Sequence, residues 1–316
     1  MRDVPSLTGG SWRGVGWGAR LAWAWLLVLF VVGLLAPVIA HGPDAAGKSG
    51  LVPWGHAERV AYCGRLPPGS TTNDARGPFT PEASPRAYWL GTDSLGQDVL
   101  SNLIHSCRSA LEVGLVGAGV ALLIGVTLGT LAGYLGGWVD VVVMRVVEIF
   151  MAIPLLFLLV MGAHVLPKEP WAIMMLIGAV TWTGIARLTR AEVMRVRSSL
   201  FVEAARASGL PELRIMRTAI LPSALGPALI ESAYLFASAV LFEATLSYLN
   251  LAPVDRASWG RMLAFAPGEA GDFAWWLAVF PGLCMMFMVL SCQTLAGERT
   301  ARGGGGQSSR LQSRAA

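Results

Sequence analysis

Apolar residues in this chain gather into long runs separated by short polar joints, a pattern unlike the three-or-four spacing of a surface helix or the alternation of a half-buried strand. A helix that crosses a bilayer needs about 20 mostly apolar residues. Six runs approach or exceed that length: Leu21–Ala40, Leu111–Leu135, 139–165, 171–188, Ala224–Leu249 and 273–296. Gly136 and Gly137 part the second run from the third, and Pro167–Pro170 part the third from the fourth. The pattern predicts an all-α polytopic membrane protein with about six transmembrane helices. Its expected divisions are an N-terminal arm (1–20), a first span (21–40), a Gly- and Pro-rich polar segment (41–108), a five-helix core (109–297) interrupted by a polar loop at 190–222, and a tail (298–316). The tail carries Gly303–Gly306 and reads as disordered. Val38 and Ala40 resemble a signal-peptide cleavage site, but the first run exceeds an ordinary signal core and more spans follow, which favours a retained helix.

Charge then orients the chain. Arg187, Arg190, Arg195, Arg197, Arg206, Arg214 and Arg217 outnumber Glu192, Glu203 and Glu212 in the loop between the fourth and fifth runs. The tail adds Arg299, Arg302, Arg310 and Arg314, whereas Asp255, Arg256, Arg261, Glu269 and Asp272 leave no positive excess between the last two runs. The positive-inside rule places both termini and the 187–222 loop in the cytoplasm, and 41–108 and 250–272 outside. Only 14% of the chain is charged, against about 25% in soluble domains. No basic, aromatic-interleaved patch accompanies the net charge of +4, which argues against a nucleic-acid partner.

Candidate chemistry is sparse. Gly42–Ser49 reads GPDAAGKS and matches a phosphate-loop pattern in form. That loop needs a preceding strand and a following helix to converge its amides on phosphate; here it follows a span, and Gly50, Pro53 and Gly55 oppose a helix. Cys63, Cys107, Cys284 and Cys292 lack metal-ligand spacing, and Cys63 and Cys107 fall on the expected outer side, where a disulfide could persist. Asp93, Gln97 and Asp98 include no His and would ligate nickel weakly; capping by Thr92 or Asp93 of a helix beginning near Ser94 is the favoured reading. Met285, Met286 and Met288 read as packing residues. His41, His56, His105 and His164 are scattered, with no nucleophile–base arrangement, so the chain is not read as an enzyme.

The loop at 190–222 is the informative segment. Ser198 or Ser199 can cap a short helix ending near Ser208, and Gly209 can supply the left-handed turn that stops it. Pro211 suits the first turn of a second helix, Glu212 favours its positive end, and Pro222 is expected to end it before the fifth span. Small Ala204 and Ala205 permit close approach by a partner. Glu203-Ala204-Ala205, Gly209 and Leu221-Pro222 together form the joined pattern EAA-x3-G, then LP ahead of an apolar run.

These residues resemble the EAA motif of binding-protein-dependent ABC importer permeases. Leu90–Ser101, Ala132–Asp140, Ala152-Ile153-Pro154, Glu243–Leu249, Ser258-Trp259-Gly260 and Phe280-Pro281-Gly282 are similar, in order, to the C-type subunit of the dipeptide/oligopeptide/nickel class. The resemblance covers about residues 88–297. Gln97 stands where that class usually has Arg, Ala219 where it has His, Asn250–Pro253 replaces a Gly-rich exit, and the tail differs.

The resemblance implies a type I ABC importer permease fold in a bacterial inner membrane. It also implies a second homologous permease, two cytoplasmic ATPases holding the ATP and Mg, and a periplasmic or lipid-anchored binding protein. This chain would hold no cofactor or metal, and Glu203, Ala204, Ala205, Gly209, Leu221 and Pro222 would dock an ATPase. Short peptides are the expected substrate, with nickel chelates or other peptide-like solutes as the alternative. Glu231 and Glu243 lie in the fifth run, where a central carboxylate costs about 2.5–3.5 kcal/mol. They read either as pore or inter-permease contacts, or as residues close to the membrane interfaces. A secondary transporter, the rival from another class, would need internal repeats and broken helices with ion ligands.

Overall fold

The computed structural model describes residues 17–40, 63–74, 87–253, 256–268 and 272–315. The formal phosphate-loop match at Gly42–Ser49 and the N-terminal arm up to residue 16 lie outside the described residues. Helix α1 spans Trp17–Ile39, and α2 spans Val99–Leu135, 37 residues in one element. The second span thus starts twelve residues before the apolar run does. Its first turns carry Ser101, Asn102, Ser106 and Ser109, all buried against protein, so hydropathy alone does not register them as helix. Asp98 caps the helix by accepting the Ser101 N–H at 2.7 Å. Asp93 instead accepts the N–H groups of Leu95 and Gln97 at 2.8 and 2.9 Å. Ser94 and Leu95 therefore sit in a turn, and the helix expected near Ser94 is replaced by this turn and the later cap.

The third run folds as two helices, α3 (Gly137–Ala152) and α4 (Leu155–Val165), whose axes differ by 89°. Pro154 is the cause: it drives Ile153 into extended backbone (φ −96°, ψ 132°) and stops α3 there. The fourth run gives α5 (Pro170–Thr181) and α6 (Thr183–Arg197), bent by 43°. Among the described residues, four helices are long and apolar enough to cross a membrane alone, and up to six spans result if each bent pair counts as one.

After the loop helices α7 (Leu200–Ala207) and α8 (Glu212–Ile215), a π-helical stretch Met216–Ile220 leads into α9 (Leu221–Tyr248). Pro222 does not end the second loop helix. The Leu221 N–H reaches back five residues to the Met216 carbonyl, and this wider turn carries the helix past a residue that has no N–H to give. Short α10 (Trp259–Ala264) and long α11 (Trp275–Ala315) complete the chain. The α11 backbone stays helical through Ala315, across the Gly303–Gly306 stretch for which the sequence predicts disorder.

Helix α2 is the axis of the bundle and packs against α1, α5, α6 and α9. Gly117, Ala121, Gly125, Gly129 and Gly133 recur every fourth residue along it, which lines them on one face. A Cβ built on Gly129 would sit 2.5 Å from the Ala186 carbonyl oxygen, and one on Gly133 would sit 2.8 Å from that of Arg190. The backbones of α2 and α6 are therefore in direct contact, the close packing that small residues permit between helices in lipid. Exposed Leu115, Leu123, Trp138, Val165 and Trp171 form part of the outward apolar surface.

Beyond the α2 N-terminus, β1 (Ser70–Thr71) pairs antiparallel with β2 (Ala87–Tyr88). Arg65 clamps this segment to the 256–272 region by donating to the carbonyls of Phe265, Ala266 and Asp272, each at 3.1 Å. The Trp276 indole donates to the Thr92 carbonyl at 3.1 Å. Cys63 and Cys107 are both buried free thiols, in separate apolar clusters.

Candidate functional site

The segment from Ser198 to Pro222 folds as two short helices set against the ends of α2 and α6. Ser199 takes the N-cap position of α7 in extended backbone, but its hydroxyl donates back to the Val196 carbonyl at 2.6 Å and leaves the helix N–H groups uncapped. At the other end, Gly209 adopts φ +75°. Its N–H bonds the Arg206 carbonyl at 2.9 Å, and the Leu210 N–H bonds the Ala205 carbonyl at 3.2 Å. These paired bonds form a Schellman stop, which favours glycine at the left-handed position. Pro211 then holds the N-cap position of α8, one residue earlier than the sequence suggests, and its carbonyl accepts from Arg214 and Ile215.

A small core holds the two helices in place: Val193 and Val196 of α6 pack with Val202, Ile215, Ile220 and Ala224, and Ala205 and Tyr134 close it from the side. Arg206 donates to one Glu212 carboxylate oxygen at 2.8 Å, and the Tyr134 hydroxyl donates to the other. The Glu212 carboxylate beside Arg206 lifts its guanidinium above the usual arginine range. Arg197 lies over the Tyr134 ring at 5.7 Å. Below the loop, Asp140 of α3 pairs with Arg190 of α6 through two contacts, the longer at 2.6 Å. Tyr134 and Asp140 enter the sequence pattern only inside a longer motif, and Arg206 only for its charge; the Tyr134–Glu212 and Asp140–Arg190 contacts join residues 78 and 50 positions apart, which spacing does not reveal.

Among the six residues expected to dock a partner, Glu203, Ala204, Gly209 and Pro222 are exposed, and Ala205 and Leu221 are half-buried. Leu200, Phe201, Leu210 and Leu213 add exposed apolar side chains around them, Leu200 at 83%. Glu203 lines a recess of about 350 Å³ with Arg197 and Arg206. The loop thus presents an apolar surface with a charged recess at its edge. Surfaces of that composition mark protein contacts.

The two span-five carboxylates separate. Glu243 accepts from the Ser247 hydroxyl at 2.6 Å and the Ser258 hydroxyl at 3.3 Å, so it ties α9 to the α10 segment. Glu231 lies about 18 Å away along the same helix, at 1.5 Å per residue. It lines an open recess of about 850 Å³ with Met144, Glu148, Met151, Gly184, Arg187 and Arg190. Among the described residues, no group of three or more His, Cys, Asp or Glu is arranged to hold a metal ion.

A family model described as "Binding-protein-dependent transport system inner membrane component" matches residues 125–300. The dipeptide transport system permease of Haemophilus influenzae is 30% identical over 276 residues, covering 87% of this chain and 85% of that one. The di/tripeptide transport system permease of Pseudomonas aeruginosa is 35% identical over 211 residues, 66% of this chain and 69% of that one. Among solved structures, the inward-facing MetNI methionine ABC transporter aligns with a TM-score of 0.50 at 21% identity, covering 64% of this chain and 95% of that one. An amino acid ABC transporter with histidines aligns at 0.51 and 16% identity, over 64% and 94%. These likenesses show the type I ABC importer permease fold. The chain belongs to the family of inner membrane components of binding-protein-dependent transport systems: it is a permease subunit that passes several times through the inner membrane.

Proposed function

We propose that this permease imports short peptides, and that its α7–α8 loop docks an ATPase subunit whose closure drives the spans. The observation that carries the coupling role is the continuity of the loop with the fifth span. The apolar, exposed Leu200, Phe201, Ala204, Leu210 and Leu213 surround helices that are hydrogen-bonded to each other, and α8 runs without a break into α9. A partner that moves this surface must move the span with it. Two cytoplasmic ATPases with ATP and Mg, a second permease, and a periplasmic or lipid-anchored binding protein complete the machine, with both termini of this chain in the cytoplasm. The transport is a rigid-body switch between two states, each favoured by different contacts. The peptide reading rests on the names of the relatives, and nickel chelates or other peptide-like solutes are its alternatives.

The test is to tag the C-terminus, extract native membranes in mild detergent and identify the chains that co-purify. A second permease, ATPases and a binding protein are expected. The recovered binding protein is then screened against di- and oligopeptides and against nickel chelates. Recovery of the chain alone or with copies of itself, at full yield and without an ATPase, would remove the coupling role.

A further inference from the structure

The recess between α3, α6 and α9 has four charged side chains on its wall: Glu148, Arg187, Arg190 and Glu231. Two of them are neutralised within the chain. Arg190 is bonded to Asp140, and Glu148 meets Arg145 at 2.7 Å. Arg187 and Glu231 have no ion-pair partner among the described residues. Among the described residues the Arg187 guanidinium has one hydrogen-bond acceptor, the Met151 thioether at 3.3 Å, a weak one that carries no charge. The two lie on neighbouring ground. Glu231 Oε1 is 3.5 Å from where a Gly184 Cβ would stand, and Gly184 is one helical turn before Arg187 on the same face of α6. Gly184 keeps the floor between them free of a side chain.

A cation and an anion left without ion-pair partners on one wall can each receive the opposite charge of a ligand. Here the wall offers one cation and one anion across a glycine floor, in a space of about 850 Å³ with Met144, Met151 and Leu188 as apolar lining. We propose that this recess is a way-station for a zwitterionic peptide: Arg187 receives its terminal carboxylate, Glu231 its terminal ammonium, and the methionines its side chains. Methionine suits varied side chains because it is unbranched and adaptable. The proposal rests on the peptide-importer reading and adds where this chain itself meets the substrate.

The experiment uses the complete importer in proteoliposomes, with binding protein supplied at saturation, and compares wild type with Arg187→Gln and Glu231→Gln. The probes are alanyl-alanine, its C-terminal amide and its N-acetyl derivative. Each variant is expected to lose about tenfold in alanyl-alanine uptake, the size of one charge-assisted hydrogen bond. Arg187→Gln should handle the amide as wild type does, and Glu231→Gln the N-acetyl peptide. Comparing variant with wild type on one probe cancels any preference of the binding protein. Wild-type uptake of alanyl-alanine by both variants, or a loss equal for free and blocked peptides, would overturn the assignment while leaving the peptide reading intact. Failure of the wild-type importer to take up any peptide would bring down that reading itself, and the way-station with it.

Discussion

Gly209 makes the left-handed turn between α7 and α8. Its φ of +75° is required by the Schellman stop, and a Cβ there would meet nothing within 4 Å. The cost of substitution is therefore conformational: about 1–2 kcal/mol for Val, and less for Asn, which visits the left-handed region more readily. Gly209→Val should insert normally and lose uptake, whereas Gly209→Asn should stay near wild type; uptake per inserted molecule, by quantitative blotting, reads both. Asp98 gives a residue-scale prediction in pH. Burial pushes its carboxyl up to about 7, Asp93 adds to the rise, and the Ser101 N–H works against it. The folded form therefore holds its proton more tightly than the unfolded chain does, so this group's contribution to stability is fullest at acid pH and is lost as pH rises from about 4 to about 7. The change is on the order of 4 kcal/mol. Asp98→Asn keeps the acceptor for Ser101 and should flatten that slope in thermal melts of the detergent-solubilised protein between pH 5 and 8; an unchanged slope would assign it to other groups.

At the level of elements, the contact between α2 and α6 makes the sharpest contrast. A side chain at Gly129 would press on the backbone oxygen of Ala186, which cannot turn aside, while one at Gly119 would enter open space. Gly129→Val should cost at least the roughly 1–3 kcal/mol of an overpacked core. Gly119→Ala should be neutral or gain about 0.5–1 kcal/mol from reduced chain entropy. Melting temperatures of the two purified proteins decide it. The same elements show what sequence could and could not reveal. Apolar runs identify where the chain enters lipid, because hydrocarbon tolerates little else. They miss the first twelve residues of α2, whose serines and asparagine face protein. They also pass over the right angle at Pro154, since hydropathy carries length but no direction. Pro222 misleads in the opposite sense: a helix-ending signal is absorbed by a π turn that the local sequence does not announce. The turn chemistry of the loop is local, so Gly209 was legible. The Tyr134–Glu212 and Asp140–Arg190 ties depend on the tertiary fold and were not.

For the molecule as a whole, orientation is the property that charge predicts and that labelling can check. In a cysteine-free background, Ser208→Cys should react with an impermeant maleimide only from the cytoplasmic side, and Asn250→Cys only from the outside. The reverse pattern would invert the topology. The two sites mark opposite ends of one structural feature, the uninterrupted helix from Glu212 to Tyr248. At 1.5 Å per residue it is about 55 Å long, well beyond the hydrocarbon thickness. It is fixed near one end by the α7–α8 loop and near the other by the Glu243 carboxylate on Ser258. Such a helix behaves as a lever. A tilt of about 10° about its midpoint would swing each end by roughly 5 Å in opposite directions. A small displacement of the loop would thus reappear, reversed in sense, at the far face of the membrane, and the pivot would lie close to Glu231, where the recess opens.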